Sequence, residues 1–371
     1  MSQWIKTKLG EIVILNYGKA LKAQDRNAGS IPVYSSGGLT GWHNKALINE
    51  QGIIIGRKGT VGKAYLTYGP FWCIDTAYYI LPNPSKYDFV FLFYLLKTLG
   101  LEELNEDSAV PGLNRDTAYS QEILLPSLPE QKAIASVLSS LDDKIDLLHR
   151  QNKTLESMAE TIFRKWFIEE PQEEWDTVPL SKVATFTNGL ACQKFPAISG
   201  EPSMPVLKIK ELSSGISSNT DLATANIKED YIVNHGDVIF AWSASLMVKI
   251  WSGPVCVLNQ HLFKVTSDTY PKWFYLEWCK HYLKEFISIS QSHATTMGHI
   301  KRKDLDEAMV KIPSNNELVN MTAKIGPLLD QRIEKMRQIR TLETLRDTLL
   351  PKLMSGDVRV QYAEEAIASV A

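Results

Sequence analysis

TLESMAETIF at residues 154–163 returns as TLETLRDTLL at residues 341–350, with four identities in ten at an offset of 187. Both copies lie inside long stretches of periodic apolar residues. From Ile134, the series Leu138, Leu141, Ile145, Leu148, Asn152, Leu155, Ala159, Ile162 and Trp166 alternates steps of four and three, which is the spacing of a coiled-coil seam. Asn152 places an amide in that seam, a residue type that fixes register at some cost in stability. The second stretch offers Leu318, Ile325, Leu329, Ile333, Met336, Ile339, Leu342, Leu345, Leu349 and Leu353, a less regular stripe. Pro351 predicts a bend there, because its ring crowds the preceding turn, and Gly356 predicts the stop.

The repeat extends upstream. Pro126 and Glu130 fall on Pro313 and Glu317 at the same offset; Gly-Pro at 69 and 253 and Gly52 and Gly236 match at 184; LGEIVILNYG (9–18) matches LSKVATFTNG (180–189) at 171. A drifting offset with preserved order means loop insertions in a duplicated unit. Each half reads as a strand-rich segment, a short helix and a long helix. GIIIGRKGTVGKAYLTYG (52–69) is a strand, a glycine-punctuated turn and a strand, with FWCIDTAYYILP (71–82) as a third strand. GDVIFAWSASLMVKIWSG (236–253) and PVCVLNQHLFKVT (254–266) repeat that layout, and DFVFLFYLLKTLG (88–100) and PKWFYLEWCKHYLKEFIS (271–288) are the short helices. The first long helix opens at LPSLPEQ (125–131), with Pro129 in its first turn and Glu130 at the positive helix end.

A long amphipathic helix needs a partner for its seam, and this chain holds two of similar length, so they are expected to pair. Antiparallel pairing predicts a pseudo-twofold α+β protein: two similar mixed α/β domains joined by a rod that, at ~1.5 Å per residue over about 38 residues, spans about 57 Å. The boundaries read as a first domain at 1–128, a central helix at 129–168, an acidic, proline-broken linker at 169–179, a second domain at 180–313, a distal helix at 314–356 and a tail at 357–371 without clear assignment. Two ordinary core helices in one large domain are the alternative.

The 371 residues are 44% hydrophobic and 22% charged, an ordinary globular composition. The first residues lack a charged segment followed by a long apolar one, and no stretch approaches ~18 apolar residues, so a cytoplasmic protein without a membrane is expected. Cys73, Cys192, Cys256 and Cys279 are scattered without a CxxC pair, which suggests packed thiols rather than zinc or disulfides. The net charge of −2 excludes a general polycation, so any nucleic-acid contact must use local basic patches.

At this point the residues carry a resemblance. LPSLPEQKAIASVLSSLDDKIDLLHRQNKTLESMAETIFRKWF resembles the central region of type I restriction-modification specificity subunits, and NELVNMTAKIGPLLDQRIEKMRQIRTLETLRDTLLPKLMSGDVRV resembles their C-terminal region. The distal copy departs at 315–317, where NNE stands in place of PEQ, and the second hairpin turn is short of basic residues. The resemblance implies a non-catalytic chain with two target-recognition domains, each reading half of a split site in double-stranded DNA. It further implies spacer helices that dock two methyltransferase subunits using S-adenosylmethionine to methylate adenine, with motor nuclease subunits joining for restriction. No cofactor is expected in this chain.

The missing chemistry agrees with that reading. An amino-methyltransferase needs an N/D-P-P-aromatic loop around the flipped base, whereas PNPS (82–85) has another order; GRKGTVGKA (56–64) misses the P-loop spacing and its final hydroxyl. Asp142 to Lys144 and Glu130 to Lys132 match a nuclease triplet but lie on the long helix, where a solvated charged face is the simpler reading. No histidine pair has metal-ligand spacing, so no metal is expected. A coiled-coil scaffold that never meets DNA and a stand-alone DNA-modifying enzyme remain as rival readings.

For DNA contact, the first turn presents Arg57, Lys58, Thr60 and Lys63; arginine can grip guanine N7 and O6 together, while lysine and threonine more often meet phosphate. YSSGGLTGWHNKA (34–46) reads as a loop with Ser35, Ser36, Trp42 and His43, and SAVPGLNRD (108–116) offers Asn114 and Arg115. In the second half AWSASLMVK (241–249) has Trp242, Ser243, Ser245 and Lys249, suited to base edges or DNA shape. QSHATTMGHIKRKD (291–304) supplies His293, Thr295, Thr296, His299, Lys301, Arg302 and Lys303. Each stretch also reads as a plain exposed turn. The helix-pairing seam is expected at Leu138, Leu141, Ile145, Leu148, Asn152 and Leu155 against Leu329, Ile333, Met336, Ile339 and Leu342.

Overall fold

The computed structural model describes residues 4–104, 112–292 and 298–368. The chain divides into two compact units, one of residues 1–144 with 342–371 and one of residues 145–341. Each long helix therefore contributes to both units, instead of forming a domain apart from the heads.

The first unit is built on a four-stranded antiparallel sheet ordered Asn16–Tyr17, Ala77–Ile80, Gly52–Gly56 and Ala64–Thr67. Its central strand, GIIIG, is buried throughout; covered on both faces, it reads as a continuous apolar run instead of an alternating one. A second sheet pairs Ile31–Ser35 with Gly38–His43 antiparallel and with Trp72–Cys73 parallel. Ile5–Lys8 pairs with Glu122–Leu125, the strand that leads into the central helix, Leu128–Arg164. Within this unit Asp88 caps Phe89–Leu96 by accepting from the Val90 and Phe91 N–H groups. Buried Gln131 ties that cap to the central helix, accepting from the Asp88 N–H at 2.8 Å and donating to the Pro126 carbonyl at 2.9 Å.

The second unit repeats the plan. Its antiparallel sheet runs Thr185–Asn188, Leu262–Thr266, Val238–Ala241 and Met247–Ile250, and Asp176–Pro179 pairs with Met309–Ile312 before the distal helix, Asn315–Ser355. Ser203–Leu207 pairs antiparallel with Leu222–Thr224 and parallel with Cys256–Leu258, which also takes Ile232–Val233 as an edge. The counterpart of the first short helix is not short, spanning Lys272–Ser292. The segment expected as linker is partly core. A π-helical turn, Lys165–Glu169, prolongs the central helix, and Trp175 is buried beside Phe167 with its indole N–H donating to Glu317 at 3.1 Å.

Pairing between the long helices is antiparallel in each unit. In the first, Arg346 meets Asp142 at 2.7 Å, and Tyr94 donates to the same carboxylate. In the second, Lys335 donates to Gln151 at 2.7 Å and Arg332 meets Glu156 at 2.8 Å. Partner numbers thus fall along one helix as they rise along the other. Leu138, Leu141, Ile145, Leu148, Asn152, Leu329, Ile339 and Leu342 are buried, while Leu155, Ile333 and Met336 are half-buried. The Asn152 Oδ1 is buried without a hydrogen bond. The distal helix runs through Pro327 and Pro351 without interruption and ends before Gly356, whose φ of 79° suits the left-handed exit of a helix. The tail forms a further helix, Val360–Ala368, and Arg359 meets Glu130 of the central helix at 3.1 Å.

All four cysteines are buried and free, and burial raises each thiol above its ordinary pKa. Among the described residues no three His, Cys, Asp or Glu side chains group as metal ligands, and no helix is long and apolar enough to cross a membrane.

One ionic cluster braces the second unit. Lys280 lies 2.6 Å from Glu156, 3.0 Å from Glu160 and 3.4 Å from Glu277. Burial pushes Glu277 up to about 7 despite Lys280. Burial would also raise Glu156, but Lys280 and Arg332 hold it below the ordinary carboxylate value. The signs are opposite. Glu156 adds stability above its unfolded value of 4.5, lost on acidification, whereas the neutral Glu277 adds stability below 4.5 that is lost as pH rises through about 7. Glu277→Gln is expected to remove a loss of up to ~3 kcal/mol between pH 4.5 and 7. Denaturant melts at pH 5 and pH 8 check this; wild type and variant losing stability in parallel would contradict the assignment.

Candidate nucleic-acid interface

The first turn closes tightly because of two glycines. A Cβ on Gly56 would stand 1.9 Å from the Thr60 carbonyl oxygen, and Gly62, at φ 76°, donates to the Gly56 carbonyl at 2.9 Å. Lys58, Thr60 and Lys63 are exposed on this turn, and Arg57 is half-buried. The Arg57 and Lys58 N–H groups donate to the Thr76 carbonyl, both at 3.0 Å, and the Leu113 N–H donates to the Arg57 carbonyl at 2.8 Å. That last bond brings segment 112–116 to the turn.

There Asn114 is a helix cap, its Oδ1 accepting from the Asp116 N–H at 2.8 Å ahead of Arg115–Tyr119. Arg115 packs 5.5 Å from the Tyr17 ring centroid, and Arg57 lies 5.3 Å from that ring and 5.7 Å from Tyr78. Tyr17, Arg57, Lys58, Tyr78, Asn114 and Arg115 line one open cleft of 440 Å³. It is a polar recess with two guanidinium groups on one aromatic ring.

The neighbouring residues behave differently. Ser35, Trp42 and His43 lie on the hairpin strands Ile31–Ser35 and Gly38–His43, not on the loop expected from the sequence. Strand alternation turns Trp42 outward and His43 inward. His43 is buried, with its Nδ1 accepting from the Asn27 N–H at 3.1 Å and its ring edge-on to Trp72. Ser36, in the hairpin turn, is buried and its N–H donates to the Thr76 hydroxyl. Ser35 bonds back to its own turn at Gly37 and Gly38. Trp42 alone of these four is classed as exposed.

The second unit has the same backbone frame with other side chains. The Trp242 N–H donates to the His261 carbonyl at 3.4 Å and the Ile300 N–H to the Trp242 carbonyl at 3.1 Å, so Trp242 occupies the position of Arg57 and Ile300 that of Leu113. Lys301 and Arg302 then correspond to Asn114 and Arg115 at the start of a short helix, here Arg302–Glu307. Trp242 stacks on Phe263 at 5.5 Å and 24°, and its indole N–H donates to Asn188 at 3.2 Å. Asn188 in turn corresponds to Tyr17. His299 packs against the edge of Trp242 and pairs with Ser243 across the bridge. Ser243 is buried, bonded to His261 at 3.1 Å. Ala244 holds a φ of 58°, a left-handed conformation costly for a residue with a Cβ, next to exposed Ser245.

Two expectations change here. Lys249 sits on the strand Met247–Ile250, and its ammonium donates to the Leu212 and Ser213 carbonyls, closing a helix end away from the turn. Lys301, Arg302 and Lys303 are exposed but open a helix instead of lying in a loop, and Lys303 is paired with Glu307 at 3.2 Å. His293, Thr295 and Thr296 lie outside the described residues. Sequence reasoning missed Tyr17, Tyr78, Asn188 and His261. Tyr17 and Asn188 could have been found, since they occupy one column of the match between 9–18 and 180–189.

The profile of the type I restriction modification DNA specificity domain matches residues 1–157 and again 172–344. Among curated proteins, the type I restriction enzyme MjaIX specificity subunit of Methanocaldococcus jannaschii is 28% identical over 302 residues, covering 73% of this chain and 69% of that one. The MjaVIII specificity subunit of the same organism is 23% identical over 359 residues, covering 86% and 82%. In fold, the chain resembles the crystal structure of the type I restriction-modification S subunit from M. genitalium, with a TM-score of 0.65, 18% identity and coverage of 95% and 96%. With both of its halves matched by the same profile and the same strand order repeated in both units, the chain belongs to the type I restriction-modification DNA specificity family.

Proposed function

We propose that this chain is the sequence-reading subunit of a cytoplasmic type I restriction-modification complex, in which each unit reads one half of a split site in double-stranded DNA. The observation carrying this reading is the duplicated tip: one backbone frame presents Arg57 with Arg115 in one unit and Trp242 with Arg302 in the other. Identical readers would need an identical pair of half-sites, whereas different side chains on one frame suit a site whose halves differ. Lys58, Lys63, Lys301 and Lys303 supply phosphate contacts, Thr60 and Ser245 neutral donors, and Trp42 an exposed aromatic face. His43, Ser36 and Ser243 act as supports of the tips, while Lys249 holds a helix end away from them.

The long helices act as the ruler between half-sites and as the docking surface for two methyltransferase subunits, with motor nuclease subunits joining for cleavage. S-adenosylmethionine belongs on the methyltransferase; this chain contributes address and no chemistry. The cleft of the first tip is open and polar, and the Ser243 hydroxyl that meets His261 in the second is buried, which supports a binding role.

Two measurements test the reading. Purified chain incubated with duplex and labelled S-adenosylmethionine is expected to transfer no label alone, and to direct label to adenines of one split sequence once a methyltransferase partner is added; incorporation by the chain alone would overturn it. Deleting four residues from each long helix shortens both by about 6 Å, or roughly two base pairs at ~3.4 Å each. Mapped half-sites should move together by that amount, and an unchanged gap would remove the helices as ruler.

A further inference from the structure

We infer that Arg57 reads a single guanine in the half-site assigned to the first unit, with Tyr17 as the residue that holds its guanidinium in the reading plane. The inference rests on the DNA-reading function proposed above and adds the base, the reading residue and its support.

The argument starts from the donors that Arg57 has left. Its Nε is buried and makes no hydrogen bond, and its Nη2 donates to the Asp75 carbonyl at 2.7 Å. That commits the side edge of the guanidinium to the protein. The end edge, with the Nη1 hydrogens and the second Nη2 hydrogen, makes no bond among the described residues. Two parallel donors on one rigid edge match two adjacent acceptors, and in the major groove guanine offers such a pair at O6 and N7.

Orientation favours a base over a phosphate. A phosphate accepts from many directions, and the exposed Lys58 and Lys63 on flexible stems serve it without a fixed plane. Arg57 is fixed. Its Cζ lies within 5.3 Å of the Tyr17 centroid and 5.7 Å of Tyr78, and its own backbone is bonded on both sides, to Thr76 and Leu113. Such immobilisation lowers the entropy cost of a two-pronged contact. Tyr17 also carries Arg115 at 5.5 Å, so two positive groups share one ring, and their repulsion is relieved by an acceptor-rich edge entering the cleft. At the equivalent position of the second unit the fork is absent, because Trp242 spends its single N–H on Asn188. The guanine preference should therefore belong to one half-site only.

The test uses the complex with its methyltransferase partner and duplexes varied at every position, with methylation as readout. Wild type is expected to lose on the order of 10- to 100-fold at one guanine when that base is replaced, and a similar factor with 7-deazaguanine there, which lacks the N7 acceptor. Arg57→Ala and Arg57→Lys should both become indifferent at that position, the lysine variant because charge without a fork cannot discriminate. Tyr17→Phe keeps the ring and should keep the preference, whereas Tyr17→Ala should lose most of it. The half-site read by the second unit serves as the internal folding control and should be unchanged in every variant. An unchanged consensus in Arg57→Lys, or a uniform weakening across all sequences with a shallower salt dependence, would overturn the inference. A wild-type complex without any sequence-selective methylation would instead sink the broader reading.

Discussion

Everything in this molecule answers to one constraint: an apolar stripe some ten turns long cannot face water. The two stripes meet within each unit, and in the second they also pack into the core of the head, where Ala159, Phe163, Ile325 and Leu329 lie with Trp273 and Phe274; polar pairs set which residue meets which. Arg346 with Asp142 and Arg359 with Glu130 in the first unit, and Lys335 with Gln151 and Arg332 with Glu156 in the second, fit opposed directions within each unit. Apolar burial supplies the drive and charge supplies the register. Asn152, buried with an unbonded oxygen, fits the second task better than the first, since leucine there would bury more apolar area.

The heads are attached to that pairing by backbone and not by loosely draped chain. Strand Glu122–Leu125 runs almost directly into the central helix, and Met309–Ile312 stands in the same relation to the distal one. In each case the partner strand comes from the beginning of the same head, at Ile5–Lys8 and at Asp176–Pro179. A head is thus closed on itself at the point where the helix departs. In the second unit Trp175 adds an aromatic brace at that root through Glu317, and farther along Lys280 ties the helix Lys272–Ser292 to the central helix.

Periodicity made the long helices and their seam legible, because the 3.5-residue repeat is written in residue type alone. The hairpins were legible through glycine and apolar runs. What lay beyond the sequence was the use to which polar side chains are put. Ser36 and His43 look available in a string of small and hydroxyl residues, yet strand pairing and turn geometry bury them. Lys249 looks like a contact, yet its ammonium reaches a helix end 36 and 37 residues back. Asn114 looks like a base reader and is a cap. Local pattern says which groups exist; only tertiary placement says which are already engaged. Tyr17 shows the reverse case, an unremarked residue made central by two arginines from distant segments.

The bond from the Leu113 amide to the Arg57 carbonyl, matched by Ile300 to Trp242, is made between main-chain atoms and so carries no information about side chains. A side-chain change at either tip leaves that clasp intact, so on the proposed reading address and scaffold are written in separate atoms. If each tip reads its own half-site, as proposed, such a protein can drift to a new target one half at a time. Its remaining half keeps the old word while the first is respelled.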